Sequence, residues 1–231
     1  MRVECIVFDV DDTLYLERDY VRSGFAAVGR WVAEERGVSG FGQECWALFE
    51  RGVRRSTFDQ AAAALGMGTD SATIGGLVDV YREHTPDIQL LPDARDFLDR
   101  HPSAAMAVIT DGPKVAQRAK IEALGLADRI ETIFVTAEIG PDAGKPSEVA
   151  FEHVQRATSV PHRACCYVGD NPAKDFVAPR ALGWRTVRVR RFGSLHENAP
   201  SGPDVDRELA SMTDLARAIW PNTTKATDEQ P

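Results

Sequence analysis

Short apolar runs punctuate the chain at wide intervals. Glu4–Phe8, Ala105–Ile109, Thr132–Val135, Cys165–Val168 and Thr186–Val189 are rich in β-branched and aromatic residues. Their brevity and composition predict buried parallel strands rather than helices. Helical patterns separate most of them. One, Pro113 to Leu124, opens on a proline suited to the first helical position and ends at Gly125. Another, Ser147 to Ala157, sets Ala150, Val154 and Ala157 on one face. Such alternation predicts an α/β fold, a parallel sheet with helices on both faces.

One stretch breaks the alternation. Between Leu16 and about Asp87 there are helix signals and no strand. Val21, Phe25, Val28 and Val32 form an apolar stripe that stops before Gly37. Trp46, Phe49 and Val53 form a second, and Ile74, Val78 and Tyr81 another, ended by Pro86. Between these, Thr57-Phe58-Asp59-Gln60 reads as a capping box opening a helix that stops at Gly66. A crossover between neighbouring parallel strands does not need this many helices. The expected organisation is therefore a helical lobe, 17–87, inserted into an α/β core made of 1–16 and 88–220. Gly193 to Pro203 is a Gly/Pro/Ser-rich loop, and a flexible polar tail is expected over 221–231.

Composition narrows the function classes. Hydrophobic residues make up 43% of the 231 positions, enough for a sizeable core. The net charge of -8 speaks against a general nucleic-acid binder, while leaving room for a small anionic substrate at a locally compensated site. The four cysteines show no C-x-x-C pair and lie in strand-like or helical patterns, so a reduced, cytoplasmic setting is expected. A strand, Val3 to Phe8, opens the chain without a signal-peptide pattern. No apolar run approaches the ~18 residues of a membrane span.

The chemistry gathers at the ends of the strand-like runs. Asp9-Val10-Asp11-Asp12-Thr13-Leu14 follows the first. In open α/β sheets, ligands bind beyond the carboxyl ends of the strands. Alternation turns Asp9 and Asp11 to one side, where two carboxylates call for a cation or a shared proton. A hard ion such as Mg²⁺ suits oxygen ligands. Thr110-Asp111-Gly112 follows the second run and, at a helix start, offers a hydroxyl and backbone N–H groups to an anion. Lys145, in Gly144-Lys145-Pro146, precedes a helix and can neutralise phosphate charge. Gly169-Asp170-Asn171-Pro172-Ala173-Lys174-Asp175 follows the fourth run, with Asp170 placed to ligate a metal and Asp175 to support it. Taken singly, each cluster also admits a reading as turn, cap or solvated surface chemistry, least so for the aspartates after the first strand and most so for Lys145.

Together, Asp-x-Asp-x-Thr, then Thr, then Lys, then Gly-Asp-x-x-x-x-Asp resembles the four motifs of the haloacid dehalogenase-like (HAD) hydrolases. The resemblance covers Arg2 to about Val189. It implies a Rossmann-like parallel sheet core, and the inserted helices resemble that family's first type of cap. It implies Asp9 as nucleophile, forming an aspartyl-phosphate, and Asp11 as general acid/base. Mg²⁺ would be held by the Asp9 carboxylate, the Asp11 backbone carbonyl and Asp170. Thr110 and Lys145, with Asp111 and Gly112, would bind the phosphoryl oxygens, and Asp175 would orient Lys145 or a metal-bound water. The dehalogenases of the family lack an aspartate at the second position, because a halide leaves without a proton whereas an alkoxide needs one. Asp11 thus points to phosphoryl transfer. Asp111 departs from the Asn that many relatives carry.

The implied activity is a Mg²⁺-dependent phosphatase acting on a small phosphorylated metabolite: a sugar phosphate, a phospho-acid or a nucleoside monophosphate. A phosphotransferase or mutase using the same intermediate is an alternative, as is a non-catalytic phosphometabolite-binding or signalling protein. A receiver-like module is disfavoured, because its phosphorylated Asp follows a mid-chain strand. Arg51, Arg54 and Arg55, at the turn between the second and third lobe helices, are candidates for substrate choice. So are Tyr15 and Arg18 near the hinge. Trp31 and Trp46 fall in apolar stripes and read as lobe core. The five histidines lack metal-ligand spacing and are expected at the surface or in the lobe.

Overall fold

The computed structural model describes residues 2–68 and 70–221. A parallel six-stranded sheet has the order β3-β2-β1-β4-β5-β6. Its strands are β1 (Cys5–Phe8), β2 (Ala105–Thr110), β3 (Thr132–Val135), β4 (Cys165–Gly169), β5 (Arg185–Val189) and β6 (Arg207–Leu209). The central strand, β1, pairs with β2 through Phe8↔Val108 and with β4 through Phe8↔Val168. These registers bring the ends of β1, β2 and β4 level, so the residues that follow them share one edge of the sheet.

The period-2 alternation of β1 divides the core. Ile6 and Phe8 point to one face and pack with Val108, Val168, Phe97 and Ile121. Cys5 and Val7 point to the other and pack with Ile109, Tyr167, Phe151 and Trp184. The first face is covered by α5 (Pro92–Arg100), α6 (Lys114–Ala123) and α10 (Leu215–Ile219). The second is covered by α8 (Val149–Thr158) and the short α9 (Val177–Ala181); α7 (Thr136–Ile139) follows β3 directly.

Before α5 come α1 (Glu17–Arg36), α2 (Phe41–Glu50), α3 (Thr57–Ala64) and α4 (Ser71–Glu83). They enclose an apolar cluster of their own, in which Val21, Phe25, Val28 and Val32 of α1 meet Phe41, Cys45, Leu48 and Leu77. Helix α1 ends where Gly37 takes a left-handed conformation (φ 67°) that costs other residues a steric penalty. The side of α4 also reaches α6 of the core.

Several local expectations need correction. Among the described residues β6 is an additional strand; its Arg207-Glu208-Leu209 sequence is the charged composition of a sheet edge, not of a buried strand. Helix α5 is also additional, with Ala94, Phe97 and Leu98 on its buried face. The capping box at Thr57 does not form: Ser56 holds the N-cap position at φ 54° and makes no side-chain cap. Pro113 precedes α6 rather than opening it. Ala157 is exposed, and Phe151 takes its place beside Ala150 and Val154. Val53 lies beyond the end of α2. All four cysteines are free and buried. No helix among the described residues is long and apolar enough to cross a membrane. Apart from Pro221, the expected tail lies outside the described residues.

Candidate active site

The turn after β1 is built by its own side chains. Asp9 N–H donates to the Val168 carbonyl at 2.8 Å, tying the strand end to β4. Asp12 adopts φ 53°, a conformation that Asp tolerates better than most residues. Its carboxylate accepts from Glu17 N at 2.8 Å and Leu195 N at 2.7 Å, joining the turn to the start of α1 and to the 193–203 loop. Of the three carboxylates here, Asp12 is therefore the one committed to architecture.

Asp9 lies at the centre of the site. Lys145 Nζ donates to Asp9 Oδ1 at 2.6 Å and to the Tyr167 hydroxyl at 2.9 Å, and stands 2.8 Å from Asp175 Oδ1. Asp175 Oδ2 accepts from Asp170 N at 3.2 Å and Asn171 N at 2.9 Å. Its fit requires Gly169, since a Cβ there would meet Asp175 Oδ2 at 2.6 Å. Carboxylate oxygens of Asp9, Asp170 and Asp175 lie within 4.8 Å of one another. Asp175 is occupied by its backbone partners and Lys145. Asp175 Oδ1 and Asp170 Oδ2 are both buried without a hydrogen-bond partner, but Asp175 Oδ1 has the Lys145 ammonium as its ion pair and Asp170 Oδ2 has no such cation. A buried, unpartnered carboxylate oxygen is costly and suits a hard divalent cation. Burial first, then the neighbouring Asp9 and Asp175, push Asp170 up to about 10. Burial also raises Asp9, to about 7, against the pull of Lys145.

The Asp11 carboxylate is not part of that cluster. Lys120 Nζ donates to its Oδ1 at 2.7 Å, the Tyr15 hydroxyl donates to the same oxygen, and Gln117 Nε2 reaches Oδ2 at 3.1 Å. Burial alone would raise Asp11, but the Lys120 charge and these hydrogen bonds outweigh it and hold the carboxyl below its usual range. Asp9 and Asp11 thus sit in different environments, one beside the cation-suited cluster and one in a cradle of donors.

At the end of β2, the Thr110 hydroxyl donates to Gln117 Oε1 at 3.0 Å, so it must turn from Gln117 to serve an arriving anion. The Asp111 side chain is already engaged by other partners. Its oxygens accept from Thr136 Oγ1 at 2.9 Å, Lys145 N at 3.2 Å and Lys174 Nζ at 3.1 Å, knitting three loops together. Of the expected phosphate contacts at Asp111, only the backbone N–H remains available.

Residues 3–183 match the family profile described as haloacid dehalogenase-like hydrolase. The chain belongs to this family. It is 30% identical over 166 residues to a phosphoserine phosphatase of Thermus thermophilus, a match covering 71% of this chain and 65% of that protein. The chain thus spans somewhat less than two thirds of this relative. It is 29% identical to a ribulose-1,5-bisphosphate 5-phosphatase of Halopiger xanaduensis, over 79% of this chain and 82% of that protein. In fold it is similar to a HAD-hydrolase of Bacillus subtilis solved bound to magnesium, with TM-score 0.67 and 19% identity, covering 95% of this chain and all (100%) of that one.

The family motifs open onto a cleft of ≈ 270 Å³. From the sheet side, Asp9, Asp11, Asp170 and Gly112 line it, along with Gln117, Lys120, Lys174 and His196. The helical insertion contributes Glu17, Tyr20, Tyr81 and Arg82. Arg18, Arg51, Arg54 and Arg55 do not line this cleft. Arg51 pairs with exposed Glu44 at 3.2 Å, and Arg54 donates to the Phe49 carbonyl at 2.6 Å and packs over its ring. Arg55 is exposed, and Arg18 turns to Trp46. Tyr15 meets the site through Asp11 and is itself fully buried. Trp31 and Trp46 pack against the helical core. A larger hollow, ≈ 580 Å³, between α1 and α2 holds none of the motif residues.

Other contributors escape a reading by motif. Gln117 and Lys120 are polar residues three apart on a helix face that also buries Ala116 and Ile121, and that burial pattern is the one signal in the sequence for them. Arg188, a charge within the apolar run of β5, is fully buried. It donates to the carbonyls of Asp170 at 3.0 Å, His196 at 2.7 Å and Ala199 at 2.7 Å, bracing the Asp170 loop. His196 lines the cleft, whereas the sequence places the histidines at the surface or in the lobe. His84, within the helical region, is buried against Ser23.

Proposed function

We propose that the protein is a Mg²⁺-dependent phosphatase that hydrolyses a small-molecule phosphate monoester through an aspartyl-phosphate on Asp9. The observation that carries this reading is the separation of the two aspartates. Asp9 lies beside a lysine and the unpartnered Asp170 oxygen, whereas Asp11 is held apart by three donors. A nucleophile and an acid/base need such different surroundings.

Asp9 attacks phosphorus while the ester oxygen leaves with a proton from Asp11, which Asp11 takes up against the pull of Lys120 as the negative phosphoryl group enters beside it. Asp11 then takes a proton from water as the water oxygen attacks phosphorus and releases Asp9. Acid–base help of this kind is typically worth ~10²–10⁴-fold in rate. Lys145 and the turned Thr110 hydroxyl hold phosphoryl oxygens, joined by the backbone N–H groups of Asp111 and Gly112 at the start of α6. Asp175 fixes Lys145 and the Asp170 loop. Asp9, Asp170 and the Asp11 backbone carbonyl are the ligands assigned to Mg²⁺. When bound, the ion offsets carboxylate charge and stabilises charge on the transferring phosphoryl group.

We assign the helices of 17–87 the role of a cap. Glu17, Tyr20, Tyr81 and Arg82 bring two charges of opposite sign and two aromatic rings over the cleft. That mixture suits a small polar leaving group rather than a phosphoprotein, in keeping with the small phosphorylated acids and sugars named for the relatives. Four free, buried cysteines support the cytoplasmic setting read from the sequence. The test is phosphate release from a panel of phosphomonoesters with Mg²⁺, with EDTA, and with Asp9→Asn. Release that needs the metal and vanishes with the substitution supports the reading. Release that survives Asp9→Asn sinks it.

A further inference from the structure

We propose that Lys120, together with Gln117, is a positioning residue that fixes the Asp11 carboxylate for proton transfer at the leaving group. The inference rests on the phosphatase reading above, in which Asp11 is the acid and base.

Lys120 is an unusual lysine. Its side chain is 5% exposed, and its ion pair among the described residues is with Asp11, at 2.7 Å. The Tyr20 ring, 4.3 Å from Nζ, covers it from the helical side. Burying an ammonium is costly unless it is well paired, so its place here needs a reason. Binding phosphate is not that reason, because the ammonium that meets Asp9 belongs to Lys145. What Lys120 touches is the other aspartate.

Gln117 completes the arrangement from the same helix face, one turn earlier. Its Nε2 donates to Asp11 Oδ2 at 3.1 Å and to the Asp111 carbonyl at 2.7 Å. The Asp111 carbonyl can only accept, which fixes the direction of the amide. Its Oε1 is then turned to the Thr110 hydroxyl. Gly112 leaves room for this contact: at φ 134° it has no Cβ, and one placed there would stand 2.7 Å from Gln117 Nε2. The acid/base group and the end of β2 are thereby tied to one rigid helix.

The donors are not shared equally between the two Asp11 oxygens. Oδ1 takes Lys120 and Tyr15, whereas Oδ2 takes Gln117 alone. A carboxylate oxygen has two lone pairs. Oδ2 therefore keeps one for the travelling proton, which passes to the leaving oxygen as the ester P–O bond breaks and is replaced by one from the attacking water.

The test follows first-turnover release and steady-state rates by rapid mixing with Mg²⁺, in wild type, Lys120→Met and Lys120→Arg. One substrate is an alkyl phosphate, whose leaving oxygen needs a proton, and the other is p-nitrophenyl phosphate, whose leaving group does not. Lys120→Met is expected to lose about 10²-fold in first-turnover rate on the alkyl ester but less than about tenfold in p-nitrophenol release, at nearly unchanged KM. Lys120→Arg is expected to recover part of the alkyl loss. Equal losses on both esters, no loss at all, or a raised KM with kcat preserved overturns the proposal; the last would make Lys120 a substrate contact. If Lys120→Met does not fold, Gln117→Leu must show the same leaving-group split, and its absence overturns the proposal equally. Asp9→Asn run alongside keeps the two readings apart: activity surviving it removes the aspartyl-phosphate mechanism. An inactive Asp9→Asn beside an unchanged Lys120→Met removes only this inference.

Discussion

Lys145 Nζ stands 2.6 Å from Asp9 Oδ1, with its side chain fully buried. Burial alone would lower this lysine, but Asp175 and Asp9 outweigh it and hold the ammonium well above its ordinary range. Lys145→Met would leave two buried carboxylates facing each other without their cation. Breaking a buried pair in this way costs about 3–5 kcal/mol. The variant is expected to lose that much in urea denaturation and also to lose turnover. Unchanged stability would mean that water or a cation already screens Asp9 and Asp175.

Asp170 Oδ2 has no hydrogen-bond partner, so if Asp170 ligates the proposed ion it should burden the metal-free protein and favour the loaded one. Without a divalent ion, Asp170→Asn is expected to equal or exceed wild type in Tm. With Mg²⁺ the order should reverse. Saturation at ~100 times Kd stabilises the binding form by about 2.7 kcal/mol. Thermal melts of both proteins in EDTA and across a Mg²⁺ titration check this. An equal Mg²⁺-induced rise in both would remove Asp170 from the ligand set.

The strands and the turns after them were legible because the physics behind them is local. β1, β2 and β4 are continuous apolar runs, as strands buried on both faces must be, and Asp9, Thr110-Asp111 and Gly169-Asp170 follow those runs directly. Where burial is one-sided the signal fades, as at β6, whose three residues are mostly polar. The cleft walls were harder to read. Lys120 looks like any helix-surface lysine until Asp11, 109 positions away in sequence, is found against it. Arg51, Arg54 and Arg55 drew attention by their spacing, but which side of a helical turn faces the core depends on how α1–α4 pack. Tyr81 and Arg82 carry no local mark of facing the site.

Glu17 lies in the cleft, where burial first and then Asp11 push its carboxyl up to about 8, while Lys120 pulls it down and Asp12 adds to the rise. A raised carboxyl favours the folded state most when protonated. Its contribution is therefore full below the ordinary Glu range and is lost as pH rises through about 8. Glu17→Gln should have nearly the stability of wild type at about pH 4 and exceed it increasingly toward about pH 9. Chemical denaturation in EDTA across that range measures the difference. A difference that does not change with pH would show that Glu17 is solvated.

The two groups of arginines on the helical insertion should behave in opposite ways. Arg82 lines the cleft beside Tyr81, whereas Arg51 is held by Glu44 and Arg54 by the Phe49 carbonyl and ring. A cation that meets the leaving group contributes to binding, and its removal raises KM. A cation paired on the surface contributes little to catalysis or stability. Arg82→Ala is therefore expected to raise KM on the best substrate by about tenfold, equivalent to about 1.4 kcal/mol of lost binding, with a smaller change in kcat. Arg51→Ala and Arg55→Ala should stay within about twofold in both constants, as expected of exposed cations away from the cleft. The contrast is sharpest on esters whose leaving group carries a second acidic function, since only there does Arg82 have an anion to meet. If Arg51→Ala or Arg55→Ala raised KM and Arg82→Ala did not, substrate would have to enter over α2 and α3. The cleft between α4 and α6 would then not be its path.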